Sequence, residues 1–360
     1  MRSISIKRFY LFVLVGLLSA FTVIAQTDSF HLSRTFNTTL KAILVNGDII
    51  ENFKQDQNTY YINLPYSTNT APSITVIKAQ RGNIVKVFPA TNLFGIEPER
   101  TTRILVSSYD KSYTENFKLI FKVLPKLDLY LLIGHSNRAA RGMITSDNLE
   151  IITNVFLLTA NGGMEPAINP LNKYSNIGQE LMIQPVDPEY IFSKKIVEQT
   201  GANIGLIVNT TGAGGIASWE KGNSDHYYEK TLYRVVSALK WGSLKAILWY
   251  HGDNDINQVN AYLDKLSRIV VNFRIDLGYP QVLFVASEMG YGSDKEKEVI
   301  TFNQTIQPIK KRIPYSEWVA DDDLNPLTST PNSHLNSHLD TNSQWILGER
   351  YADKVLKFCY

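Results

Sequence analysis

Four short blocks of the sequence combine hydroxyl, imidazole or carboxyl side chains, or clustered glycines, at spacings that could support chemistry. They are GHSN at 134–137, NTTGAGGI at 209–216, WYHGDND at 249–255 and HLNSHLD at 334–340. The first presents the hydroxyl of Ser136 after an apolar run, where a serine is either a nucleophile or a helix N-cap. The glycines of the second bring backbone N–H groups close to an oxyanion or a phosphate. No Gly-Lys-Ser/Thr follows them, which excludes a Walker motif.

The elements that must position these blocks are predicted by apolar patterning. Continuous apolar runs predict buried strands at 129–133, 204–208, 246–250, 282–286 and 318–320. Helical spacing appears between them, and a last helix is expected through 346–355. The clearest helical stripe is Tyr262, Leu266, Ile269, Val270 and Phe273. Alternating strands and helices predict an α/β domain with a parallel sheet covered on both faces. Because reactive groups collect beyond the carboxyl ends of such strands, the first three blocks are expected to meet there.

The region before residue 124 has the patterning of an all-β domain. Short strands are predicted at 40–45, 60–64, 73–78, 84–88, 102–107 and 117–123. About seven strands in so short a stretch predict a small β-sandwich. The segment resembles the cadherin-like, Ig-like β-sandwich module of bacterial proteins through LVNG at 44–47, YYINLP at 60–65 and ILVS at 104–107. We therefore expect a β-sandwich domain at 36–124, which serves as a spacer or binds sugar.

The first residues have the features of a targeting signal. Arg2, Lys7 and Arg8 form a positive region, and residues 9–25 are apolar or small. VIA at 23–25 resembles a small-residue cleavage site, so we expect a signal peptide at 1–25. The alternative is an uncleaved membrane anchor. After cleavage we expect no integral membrane span, and export to the periplasm or the extracellular space of a bacterium.

Composition narrows the range of partners. Lys and Arg total 36 and Asp and Glu total 34, a net charge of +2 that provides no field for recruiting nucleic acid. A hydrophobic content of 44% excludes a largely disordered chain. Cys359 is the single cysteine of the 360 residues, so an intramolecular disulfide is impossible. The histidines show no metal-ligand spacing, and we expect neither a metal nor an organic cofactor.

Together the four blocks resemble the SGNH hydrolase superfamily, and within it the sialate O-acetylesterase and acetylxylan esterase group. That group typically has GQSNMAGRG at the nucleophile, where this chain has GHSNRAARG at 134–142. The other matching segments are GLI at 205–207, GAGGI at 212–216 with Trp219, WYHGD at 249–253, HLD at 338–340 and LGERYA at 347–352. The match runs from about residue 128 to 356. It implies a flavodoxin-like, three-layer α/β hydrolase domain at 126–360.

The resemblance also implies a role for each matching residue of a catalytic triad. Ser136 would attack the acetyl carbonyl, and His338 would take its proton and return it to the leaving hydroxyl. The superfamily often places an acid three residues before the histidine, but Leu335 occupies that position here. Asp253, which stands where the group has Glu, is therefore favoured as the acid that orients the imidazole, with Asp255 as the second choice.

Two further assignments stay open in the sequence. His334 is a second candidate base, although it lacks the downstream LGERYA register that His338 has. The oxyanion hole is expected to use the backbone N–H groups of Ser136 and Gly212. Its side-chain donor is either His251, which replaces the group's Gln, or Asn254, because GDND also fits the superfamily's Gly-x-Asn-Asp.

These residues lead us to expect an exported carbohydrate O-acetylesterase. Its partner would be an acetylated carbohydrate such as a sialic acid or xylan. The first alternative is a glycan-binding pseudoenzyme of the same fold, suggested by departures from the group's pattern. Those departures are His135, Arg138, Ala140, Ala213, His251, Asp253 and Leu335. The second alternative is an SGNH esterase for other small esters.

Overall fold

The computed structural model describes residues 38–51, 53–134, 148–177, 187–212, 214–290, 296–321, 323–325 and 339–360. It divides into two compact units, one ending at Lys122 and one comprising Asn63–Ser67 and Val123–Tyr360. In the part of the chain that is described, no helix combines the length and hydropathy needed to cross a bilayer. The predicted signal peptide at 1–25 lies outside the described residues.

The described residues of the first unit form β-strands and the turns between them. Its strands are β1 (Leu40–Val45), β2 (Asp48–Ile49), β3 (Thr59–Leu64), β4 (Ile74–Lys78), β5 (Ile84–Phe88), β6 (Thr101–Ser107) and β7 (Thr114–Val123). They form two sheets, ordered β2-β1-β4 and β3-β7-β6-β5. In β6, Thr102, Ile104 and Val106 are buried in alternation, which is the period-2 pattern of a half-buried strand. The six strands expected from the sequence are confirmed; their packing as a sandwich stays a prediction.

The second unit is built on a seven-stranded sheet. Its strands are β8 (Leu127–Gly134), β9 (Val155–Leu158), β10 (Met164–Pro166), β11 (Ile204–Thr210), β12 (Gly242–Tyr250), β13 (Leu283–Ser287) and β14 (Ser316–Val319). The order is β10-β9-β11-β8-β12-β13-β14, and β10 is the antiparallel strand at the edge. The predicted parallel sheet is confirmed. The β9–β10 hairpin was not predicted, because runs of four and three residues show too little periodicity.

Helices cover both faces of this sheet. They are α1 (Pro188–Thr200), α2 (Tyr227–Ala238), α3 (Val259–Leu277), α4 (Glu296–Ile306), α5 (Ile309–Arg312) and α6 (Thr341–Cys359). Successive residues of β8 enter opposite cores: Leu131 packs with residues of α2 to α5, and Leu132 packs with residues of α1 and α6. The result is the expected three-layer arrangement. Helices α4 and α5 were not predicted, although Val299, Phe302 and Ile306 are spaced as one helical stripe.

The strand order locates the crevice where a ligand would bind. Leaving aside the β9–β10 hairpin, the order β11-β8-β12-β13-β14 is the flavodoxin-like order, second-first-third-fourth-fifth. Strand β11 lies on one side of β8 and β12 lies on the other, so the strand order reverses at β8. Such a reversal opens a crevice beyond the carboxyl ends of β8 and its neighbours. Gly134, Thr210 and Tyr250 lie side by side there, because Thr210 and Tyr250 both pair with Gly134.

Candidate active site

Gly134 forms the centre of the edge on which three of the four blocks converge. Its carbonyl accepts a hydrogen bond from the N–H of Thr211 at 3.2 Å. Its φ is +143°, and a Cβ at this position would lie 1.9 Å from the carbonyl oxygen of Tyr250. Only glycine fits both conditions. The chain therefore leaves β8, two residues before Ser136, in close contact with β12. Ser136 itself, with the rest of 135–147, lies outside the described residues.

The second block is anchored by Asn209 at the end of β11. Its side-chain amide is fully buried, donates to Thr231 Oγ1 at 2.8 Å and accepts from the N–H of Asn176 at 3.0 Å. Ser175 Oγ donates to the carbonyl of Thr210 at 2.6 Å. These bonds hold the segment around residues 175–176 against the strand end. Asn209 is thus a structural residue, and Gly212, three positions later, is carried at the same edge; its oxyanion role stays a prediction.

The third block is attached to the second by two side chains. Asp255 Oδ2 accepts a hydrogen bond from the N–H of Ile216 at 2.8 Å, and Asn254 Nδ2 donates to the carbonyl of Gly214 at 3.1 Å. A Cβ on Gly215 would lie only 3.2 Å from Asp255 Oδ1, so this glycine permits the close approach. Both side chains therefore have a structural contact with the glycine-rich loop. Their predicted parts as second-choice acid and alternative oxyanion donor are untested by these contacts.

His251 lies in a buried aromatic cluster beneath the third block. Its side chain is fully buried, with its ring centroid 5.1 Å from that of Trp249 and 6.0 Å from that of Tyr262. The hydroxyl of Tyr262 donates to the carbonyl of His251 at 2.8 Å and lies 3.4 Å from Nδ1. Nδ1 is also 3.8 Å from Asp255 Oδ2. The imidazole is thus held in place from two sides. Sequence patterning identified Tyr262 only as a core residue of α3.

Asp253 is half-buried at the same edge. Its negative charge acts on three buried groups, although in each of them burial is the largest cause of the raised pKa. The groups whose pKa Asp253 helps to raise are Tyr250, Tyr262 and Asp321. The carboxyl of Asp253 therefore lies within electrostatic reach of three buried groups at this edge of the sheet.

The fourth block falls partly outside the described residues, which include neither His334 nor His338. The helix that comes after it is firmly attached. Asp340 caps α6, since its Oδ1 accepts from the N–H of Ser343 at 2.8 Å. Tyr351, in the LGERYA segment, donates its hydroxyl proton to the carbonyl of Trp249 at 2.8 Å. This segment therefore has a structural function, because it fastens α6 to the strand that carries the third block.

Two buried acids at this edge were not identified from the sequence. Glu288 directly follows β13 and Asp321 lies two residues beyond β14, and their exposures are 1% and 0%. The sequence did contain a signal for them, because both come just after a predicted strand, where functional residues of such sheets collect. Among the described residues, no group of three or more His, Cys, Asp or Glu side chains is arranged to hold a metal ion.

Comparison with known proteins assigns the family. The family model described as carbohydrate esterase, sialic acid-specific acetylesterase matches residues 126–357. The chain belongs to this family. The esterase is 29% identical to a probable carbohydrate esterase of Arabidopsis thaliana over 200 residues, which cover 49% of this chain and 75% of the relative. The predicted enzyme class, a carbohydrate acetylesterase, is confirmed.

Two solved structures are similar to the esterase. An Arabidopsis thaliana protein is 26% identical with a TM-score of 0.57, and the match covers 65% of this chain and all of that one. A carbohydrate acetylesterase from Xanthomonas citri aligns over 90% of this chain and 69% of its own, at 14% identity and a TM-score of 0.48.

Proposed function

We propose that the esterase releases acetate from an acetylated glycan through a triad of Ser136, His338 and Asp253. The observation that carries this proposal is the convergence of three strand ends at one crevice. Gly134, Thr210 and Tyr250 lie side by side, and each shortly precedes the residues proposed as the nucleophile, the oxyanion donor or the acid. Such a crevice is where parallel α/β sheets place their ligands.

Acylation would begin at Ser136. Its Oγ attacks the carbonyl carbon of the acetyl group while His338 accepts the hydroxyl proton. The protonated imidazole then gives this proton to the departing sugar oxygen, and the acetyl group remains on the serine. Asp253 would hold the imidazole in the tautomer that accepts the proton and would stabilise its charged form.

The tetrahedral intermediate needs donors for its oxyanion. We assign the backbone N–H groups of Ser136 and Gly212, with His251 or Asn254 as the side-chain donor. His251 is buried, and its Nδ1 lies 3.4 Å from the hydroxyl of Tyr262, which favours a preorganised imidazole. Asn254 already uses one amide hydrogen on Gly214. In deacylation, water attacks the acetyl-serine with His338 as the base, and acetate leaves.

We also propose that the esterase is exported and acts outside the cytoplasm. The basic and apolar segment at 1–25 supports export, and the all-β unit at its predicted bounds of 36–124 would precede the esterase domain as a spacer or a sugar-binding module. An acetylated polysaccharide or sialoglycan outside the cytoplasm would then be the substrate. The family's description favours an O-acetylated sialic acid, and xylan is the alternative polysaccharide.

Acetate release tests the proposal directly. The purified protein would be assayed on O-acetylated sialic acid, acetylated xylan and a chromogenic acetate, with Ser136→Ala as the matched inactive variant. We expect release by the wild type only, and the preferred substrate would be read from kcat/KM. If the folded wild-type protein released no acetate from any of the three, the proposed function would be wrong.

A further inference from the structure

Three acidic side chains follow three neighbouring strands at the active-site edge. Asp253 follows β12, Glu288 follows β13 and Asp321 follows β14. Glu288 and Asp321 are buried, and they are neighbours: Glu288 Oε2 accepts a hydrogen bond from the backbone N–H of Asp321 at 3.3 Å. Glu288 Oε1 accepts from Gln307 Nε2 at 2.7 Å. Like charges crowded in a dry site oppose one another, so these carboxyls are not expected to ionise together.

The described residues around Asp321 provide few donors for a negative charge. Its Oδ2 accepts from the hydroxyl of Tyr250 at 2.6 Å, and its buried Oδ1 has no hydrogen-bond partner among the described residues. The positive charge of Arg350 acts on Asp321 through space. The guanidinium of Arg350, however, donates its hydrogen bonds to the carbonyl of Ala320 and to both carboxylate oxygens of Asp323. A buried carboxylate with one neutral donor is costly, and it takes up a proton instead.

Electrostatics act in the same direction. Burial raises the pKa of Asp321 well above its ordinary value. The hydroxyl of Tyr250 and the charge of Arg350 lower this pKa, whereas the charges of Asp253 and Glu288 raise it. The pKa of Tyr250 is also raised, so its hydroxyl remains a donor.

We propose that Asp321 holds a proton at neutral pH and acts, as a neutral carboxylic acid bonded to Tyr250, as a positioning residue for the esterase site. The catalytic half of this inference rests on the proposed function. Tyr250 touches Gly134 with its carbonyl and lies three residues before Asp253. By holding Tyr250, Asp321 fixes both strand ends, and by remaining neutral it adds no further negative charge beside Asp253 and Glu288.

The first test concerns the proton alone and needs no activity. The five tryptophans, at 219, 241, 249, 318 and 345, all belong to the second unit, so their fluorescence follows the unfolding of this unit in denaturant. A neutral Asp321 in the folded state has a raised pKa, so stability is lost as pH rises from about 4 to that pKa. The unfolding constant of the wild type, divided by that of Asp321→Asn, should rise roughly tenfold per pH unit between about pH 5 and pH 7.

Asp323→Asn is the matched control for this measurement. The hydrogen bonds from Arg350 hold the pKa of Asp323 below its ordinary value, so Asp323 is ionised over the whole range. Its ratio of unfolding constants should be flat over the same pH range. A flat ratio for Asp321→Asn as well would show a charged Asp321 and overturn the proposal.

The second test asks whether the neutral acid positions the site. Asp321→Ala should lower kcat by about tenfold or more with little change in KM, because Tyr250 loses its acceptor and the strand ends shift. Asp321→Asn has the same shape and neutrality as the protonated acid and should recover most of this loss. It should also remove any decline in kcat at alkaline pH that ionisation of Asp321 causes.

If the folded Asn variant is as inactive as Ser136→Ala, Asp321 works as a charge and the proposal is wrong. A wild type without activity would count against the proposed function. The pH dependence of the unfolding ratio would still show whether Asp321 is protonated in the folded protein.

Discussion

Asp255 and Ile216 join the two loops that border the candidate crevice, through a hydrogen bond of 2.8 Å from the backbone N–H of Ile216 to Asp255 Oδ2. The bond lies at the first residue of a short 3₁₀ helix, Ile216–Trp219, where backbone N–H groups lack partners within the helix. The acceptor is 8% exposed, so the bond is shielded from water. The acid that sequence reasoning kept as second choice thus has a defined structural role, because it holds the glycine-rich loop.

Replacing Asp255 should therefore loosen this loop. We expect Asp255→Ala to lower the free energy of unfolding by about 2 kcal/mol, because the buried N–H of Ile216 loses its side-chain acceptor. Asp255→Asn should cost less, since its amide oxygen can still accept. Tryptophan-monitored denaturation measures both. An unchanged free energy of unfolding in the Ala variant would mean that this bond contributes nothing to stability.

Ser136→Ala should abolish acetate release and leave the fold intact. The change removes the attacking oxygen, and loss of a nucleophile lowers turnover by roughly a thousandfold or more. Steady-state kinetics on a chromogenic acetate, with circular dichroism as the control for folding, would measure this. Wild-type turnover in the variant would contradict the serine mechanism.

His338→Ala should be as damaging as Ser136→Ala, whereas His334→Ala should be mild. The double variant Ser136→Ala/His338→Ala should be little worse than either single one, because nucleophile and base act as a unit. The comparison is made on kcat/KM. The opposite order, a severe effect at His334 beside a mild one at His338, would assign the base to His334.

Two substitutions of Asp253 distinguish the effect of its charge from the effect of its side-chain shape. Asp253→Asn should lower kcat by roughly a thousandfold, since the amide lacks the charge and can stabilise the wrong imidazole tautomer. Asp253→Glu restores the side chain typical of the related group and should retain activity. If the Asn variant kept the wild-type kcat at all pH values, Asp253 would not be the acid that orients His338.

Gly134 should tolerate no side chain. Gly134→Ala would place a Cβ 1.9 Å from the carbonyl of Tyr250, at a φ of +143°, so we expect both stability and kcat to fall. Gly201→Ala is the matched control: Gly201 ends α1 at a φ of +68° with nothing within 4 Å of its Cβ. It should cost only about 1 kcal/mol of stability and leave kcat unchanged. Equal effects of the two substitutions on kcat would show that close contact at Gly134 is unimportant.

Much of the fold could be predicted from local patterning. The stripe on α3 has a helical period over several turns, and the apolar runs of β8, β11 and β12 are continuous, so the hydrophobic pattern decides each element. The β9–β10 hairpin was missed because a four-residue run carries too little periodicity. The order of the four blocks likewise indicated an acyl-transfer site, since the proposed nucleophile, the glycine-rich loop and the proposed acid each follow a strand.

The sequence by itself determined the α/β class of the second unit, the enzyme family and the residues proposed for the triad, because those depend on residue types and their order along the chain. Only the tertiary structure decided what the neighbouring polar residues do. Asp253, Asp255 and Asp321 are the same residue type beyond strand ends, yet one is half-buried, one binds a backbone N–H and one lies in a dry cluster beside Glu288. The physical reason is that burial and the distance to the nearest donor set the protonation of a carboxyl, and both arise from packing between segments far apart in the chain.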